Sequence, residues 1–163
     1  MAKKRVYVET SVISYLTARP SSKPISRLRQ QITAVWWEYR GRWDLFISPT
    51  VLREMRRGDS EAARKRIAAA VGLPELHETG EVEELSSKLF GTGLFPEKAE
   101  IDALHVAIAT VHGMDYLVTW NQKHLFVKDE AEKRKKLEKL YEAIRKVGYT
   151  PPELLRPDGL LEK

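Results

Sequence analysis

Residues 100–121 read EIDALHVAIATVHGMDYLVTWN. Ile101, Ala103, Leu104, Val106, Ala107, Ile108 and Ala109 leave almost no polar face on the helix they form, so that helix is covered on all sides. Gly113 stops it, and Tyr116-Leu117-Val118-Thr119 follows as a short strand. A buried helix feeding straight into a buried strand is half of a parallel crossover. The strand ends on Trp120-Asn121, a polar terminus to an apolar run.

The same alternation holds upstream. Val6 to Val8 reads as a first strand that ends at Glu9, with Thr10 or Ser11 capping a short helix through Leu16. The residues before Pro20 close that helix, and 21–24 form a loop. Ile25, Leu28, Ile32, Val35, Trp36 and Tyr39 recur at three- and four-residue steps, a helical face closed by Gly41. Trp36 and Trp37 are adjacent, so one of them is expected to face a partner. Leu45 to Ile47 is a second strand, Ser48-Pro49 a helix start, and Glu54 falls in that helix's second turn. Helices are expected over 61–71, 81–90 and 96–113, with a short third strand at Leu76. The strand at 116–119 is then the fourth. A charged surface helix over 128–146 carries Leu137, Leu140, Tyr141 and Ile144 on one stripe. The compact domain is expected to span 1–150, with 151–163 a loosely docked tail. The sum is an α/β fold: a parallel central sheet of four to five strands flanked by helices in three layers.

Composition narrows the function. Hydrophobic residues make up 42% of the 163, enough for a core, and no stretch approaches the roughly 20 apolar residues of a membrane span. No secretory signal is expected, because no apolar core precedes the first strand. The absence of cysteine excludes disulfides, thiolate catalysis and thiolate metal sites, and a cytoplasmic setting fits. A net charge of +5 and a pI near 9.4 favour polyanionic partners.

In an open parallel sheet, chemistry collects outside the carboxyl ends of the strands. Glu9 follows strand one, Glu54 lies beyond strand two, Asn121 follows strand four, and Asp102 sits on the buried helix. Each has an ordinary reading: a helix cap for Glu9, an ion-paired surface for Glu54 among Arg53, Arg56 and Arg57, a dipole-favoured acid for Asp102, a turn residue for Asn121. Together they place four oxygen donors on one edge of one sheet. Converging carboxylates repel unless a cation joins them, and oxygen donors without cysteine point to Mg²⁺ or Mn²⁺. On a basic protein this suggests metal-assisted cleavage of a phosphodiester. His105, in an apolar helix, reads as a satisfied core histidine; His124 lies where it could touch phosphate. Arg53, Arg56, Arg57 and Lys123 are the candidate RNA contacts.

YVETSVISYL, ISPTVLREM, the 100–125 segment EIDALHVAIATVHGMDYLVTWNQKHL and GYTPPELLRPDGLL together resemble the PIN domain, a small α/β nuclease fold, and within it VapC-type toxins of toxin–antitoxin pairs. The acidic quartet of that family falls on Glu9, Glu54, Asp102 and Asn121, with Glu and Asn standing where Asp is usual at the first and last. The resemblance implies that Glu9 and Asp102 are the main metal ligands, that Glu54 orients or deprotonates water, that Asn121 holds the metal directly or through water, and that Ser11 and Thr119 steady the ligands. It also implies an RNA substrate, a homodimer and a VapB-like antitoxin. The two departures leave a second reading, a catalytically weak PIN-fold nucleic-acid-binding or regulatory protein.

Overall fold

A computed structural model describes residues 2–121 and 130–163. Among them four strands, β1 (Arg5–Val8), β2 (Asp44–Phe46), β3 (Tyr116–Val118) and β4 (Glu153–Leu155), form one parallel sheet in the order β2-β1-β3-β4. Tyr7 pairs with Phe46 on one side and Leu117 on the other, and Val118 pairs with Leu155. Val6, Tyr7 and Val8 are all fully buried although alternate residues point to opposite faces, so helices cover both sides of the sheet.

Among the described residues eight α-helices surround it: α1 (Thr10–Thr17), α2 (Pro24–Glu38), α3 (Pro49–Met55), α4 (Ser60–Ala70), α5 (Gly80–Gly91), α6 (Glu100–Val111), α7 (Glu130–Lys146) and α8 (Pro157–Leu161). They fall into two packed groups. α1 meets α2, α3 and α4, and α2 meets α8; α5 packs on α6 and α7. The α/β class is therefore as expected, and the chain leaves β1 in one direction for β2 and crosses back for β3. That reversal places the crevice between the ends of β1 and β3.

Three expectations need correction. Residues 153–163 are no loose tail: β4 completes the sheet, and Leu154 and Leu160 are 4% and 0% exposed. Leu154's outward N–H donates to the Tyr141 hydroxyl of α7 at 2.9 Å, which closes the sheet edge. The strand expected at Leu76 is only a bridge between Ile47 and Glu75, because the chain leaves after Ile47 N–H bonds Pro74 O and Leu76 N–H bonds Ile47 O. The apolar face read on α2 does not bury as a unit. Trp36 and Thr33 turn inward at 0% exposure, whereas Ile25, Leu28, Val35 and Tyr39 lie on the surface. Trp37 is half-buried against Trp36 and lies beneath the Arg40 guanidinium.

Candidate functional site

Glu9 stands at the end of β1, where its extended backbone makes it the N-cap of α1. Its Oε2 accepts the Ser11 N–H at 2.9 Å, and its Oε1 accepts the hydroxyls of Ser11 at 2.5 Å and Thr119 at 2.6 Å. A carboxylate offers about four acceptor positions, so one remains, on Oε2. The side chain is 6% exposed, and among the described residues no lysine or arginine pairs with it.

Glu54, on α3, is fixed by two donors that share its Oε1: the Thr10 hydroxyl at 2.7 Å and His105 Nε2 at 2.8 Å. Its Oε2 stays outside both bonds. The opposite nitrogen of His105, Nδ1, lies 2.7 Å from the Tyr7 hydroxyl, itself 2.7 Å from Ser48 Oγ. Ser48 is the N-cap of α3 and accepts the Val51 N–H. A buried relay of three side chains therefore sets the orientation of Glu54.

Electrostatics follow from this contact. Burial pushes the Glu54 carboxyl up, but the hydrogen bond and charge of His105 and the Thr10 hydroxyl outweigh it, so it lies below the usual carboxylate range. Burial pushes His105 down, yet the Glu54 hydrogen bond and the charges of Glu9, Glu54 and Asp102 hold it above the ordinary histidine value. A raised histidine stabilises the fold fully below its unfolded value, about pH 6.5, and loses that contribution as pH rises through the folded value. Glu54 has the opposite sign: its contribution is present above the ordinary carboxylate range and is lost as pH falls through its depressed value. In metal-free urea titrations from pH 6 to 9, taken as a rough window around that histidine value, the wild type is expected to weaken on the alkaline side. His105→Gln is expected to flatten that slope, and an unchanged slope would remove the assignment.

Glu9, Glu54 and His105 each place one donor atom within 4.8 Å of the others. Asp102 lies three residues before His105 and lines one pocket with Glu9, His105, Thr119 and Asn121. Its Oδ1 accepts from Asn121 Nδ2 at 3.0 Å, and the Asn121 N–H donates to Thr119 Oγ1 at 2.9 Å. The structure thus brings Glu9, Asp102 and Asn121 to one pocket, with Glu54 against its histidine. The tightest group of donors includes His105, which is at once a core histidine and part of the site. The oxygen-dominated donor set fits a hard divalent cation, since the buried Glu9 carboxylate, which no lysine or arginine pairs among the described residues, is tolerated when a cation joins it.

The expected cations divide. Arg53 is taken up by Glu78, 3.3 Å away, and by the Thr50 hydroxyl. Arg56 and Arg57 are exposed, and Arg57 contributes to lowering Glu54. Lys123 and His124 lie outside the described residues. The sequence offered Thr10 and Ser48 only as helix caps and gave Tyr7 and Trp120 no place in the site, although Trp120 stands between two residues that had one.

No protein-family model matches the chain, and no curated protein does. Among solved structures, it is similar to the Mycobacterium tuberculosis toxin VapC20, a sarcin–ricin-loop-cleaving toxin, with a TM-score of 0.56 and 19% identity over 76% of this chain and 98% of that one. At that identity the likeness is one of fold, and the fold is that of the PIN domain.

Proposed function

We propose that this chain is a metal-dependent endoribonuclease of the PIN type, the toxin of a toxin–antitoxin pair, that hydrolyses RNA phosphodiesters with Mg²⁺ or Mn²⁺. One observation carries the reading: Glu9 and Glu54 are held within 4.8 Å donor separation, Glu9 without a lysine or arginine partner among the described residues, beside the pocket that Asp102 and Asn121 line. Glu9, Asp102 and Asn121 would hold the cation, which when bound would neutralise phosphate charge and supply an acidified water. Glu54 keeps Oε2 for that water while Thr10 and His105 immobilise Oε1. Ser11 and Thr119 fix the Glu9 carboxylate so that it does not reorganise on binding.

The reading includes a cytoplasmic setting, a homodimer and a VapB-like antitoxin, for which the exposed apolar stripe of α2 offers surface. Among the described residues no helix is long and apolar enough to cross a membrane. A second reading, a weakly catalytic RNA-binding protein, is favoured by Asn121, whose amide occupies Asp102 Oδ1. Calorimetric titration with Mn²⁺ separates them: binding that disappears in Asp102→Asn supports the nuclease, and its absence in the wild type supports the alternative.

Asn121→Asp adds a further test. It replaces a donor 3.0 Å from Asp102 with a second carboxylate. In EDTA the variant is expected to melt below the wild type, through like-charge repulsion. In Mn²⁺ it is expected to recover or exceed it, with tighter metal binding. A melting difference indifferent to Mn²⁺ would detach Asn121 from the metal.

A further inference from the structure

Trp120 lies between Thr119, which holds Glu9, and Asn121, which holds Asp102, and is 6% exposed. Two guanidiniums lie over it. The Arg29 guanidinium lies 5.4 Å from the Trp120 ring centre and 5.9 Å from that of Tyr15, and donates to the Tyr15 hydroxyl at 3.2 Å. Arg156 lies 5.6 Å from the same indole. These separations are within cation–π range, about 6 Å. Trp120 is itself pinned, with Nε1 donating to Thr33 Oγ1 at 2.8 Å and its backbone N–H to Ser11 Oγ at 2.9 Å.

The two arginines differ in charge balance. Arg156 is spent on Asp158, with Nε and a terminal nitrogen at 3.1 and 2.7 Å from its two oxygens. Arg29 is half-buried and has no carboxylate partner among the described residues. A half-buried guanidinium stacked on two aromatic rings keeps a fixed fork of N–H donors, the geometry that suits a phosphate. The indole it lies over belongs to the residue that precedes Asn121. An acidic pocket repels a polyanion, so a strand brought to it needs positive charge alongside.

We infer that Arg29, seated on Trp120 and Tyr15, grips the RNA backbone phosphate next to the one that enters the acidic pocket, with Arg156 held in reserve by Asp158. The inference rests on the nuclease reading and adds a substrate contact to it.

The test is fluorescence anisotropy of a labelled single-stranded RNA with the full chain in EDTA, across a salt series. Arg29→Gln is expected to weaken binding roughly fivefold or more, and to make the log affinity–log salt slope shallower by about 0.7, one phosphate contact on a single strand. Arg29→Lys is expected to keep the slope, and Asp158→Asn to tighten binding by releasing Arg156. RNA bound equally well, with an unchanged slope, by Arg29→Gln overturns this inference alone, the more so if Gln and Lys variants lose thermal stability equally. No RNA affinity in the wild type overturns it together with the nuclease reading. Binding that depends on Arg29, without any Mn²⁺-dependent cleavage, leaves this contact standing and ends the nuclease reading.

Discussion

Glu54→Gln is expected to slow Mn²⁺-dependent cleavage of RNA by about a hundredfold or more, the range of a positioned general base. The geometry makes the substitution clean. The carboxamide oxygen takes the place of Oε1 and still accepts from Thr10 and His105, so the site keeps its shape. The position of Oε2 becomes an NH₂ group, which cannot accept a proton from water. Flipping the amide would set that NH₂ against the His105 donor, which disfavours the escape. Asp102→Asn is expected to abolish cleavage together with metal binding, so the two variants separate positioning of water from holding of the cation. Purified protein incubated with total RNA and Mn²⁺, with melting curves as the fold control, reads both. Wild-type rates in Glu54→Gln would remove the assigned site.

The second large effect is on stability. Leu154→Ala and Leu160→Ala are each expected to cost about 2–5 kcal/mol, the range for truncating a buried leucine. Leu154 is the central residue of β4, paired with Leu117, and Leu160 of α8 has no exposed surface. A loosely docked tail would instead give changes within about 0.5 kcal/mol. Urea unfolding distinguishes the two outcomes, and chains ending at residue 152 are expected to lose cooperative unfolding because β3 is left with an open edge.

Much of the architecture was legible because its cues are local. Gly113 after an apolar helix, Ser48-Pro49 after an apolar run, and polar residues at strand ends are all short-range signals, and they made Glu9, Glu54, Asp102 and Asn121 the candidates. What escaped depends on contacts between distant segments. The four residues between Pro152 and Pro157 have no pattern of their own, and Glu153–Leu155 becomes a strand only because β3 presents an edge. The three-four spacing on α2 identifies a helix but not which side is buried. Trp36 and Thr33 decide that, the latter by receiving the Trp120 indole N–H across 87 positions. His105 read as a core histidine, and it is one, yet only the fold sets it against Glu54, 51 positions away. Arg53 looked like a free cation until Glu78 arrived from 25 positions along the chain.

Glu9 is fastened by Thr119, a hydroxyl 110 positions further along the chain. Synthesis runs from the amino terminus, so a growing chain carries Glu9 and Ser11 long before it owns Thr119, and of the four strands β4 is made last. A partly made molecule therefore has no assembled acidic centre until its last strands are in place.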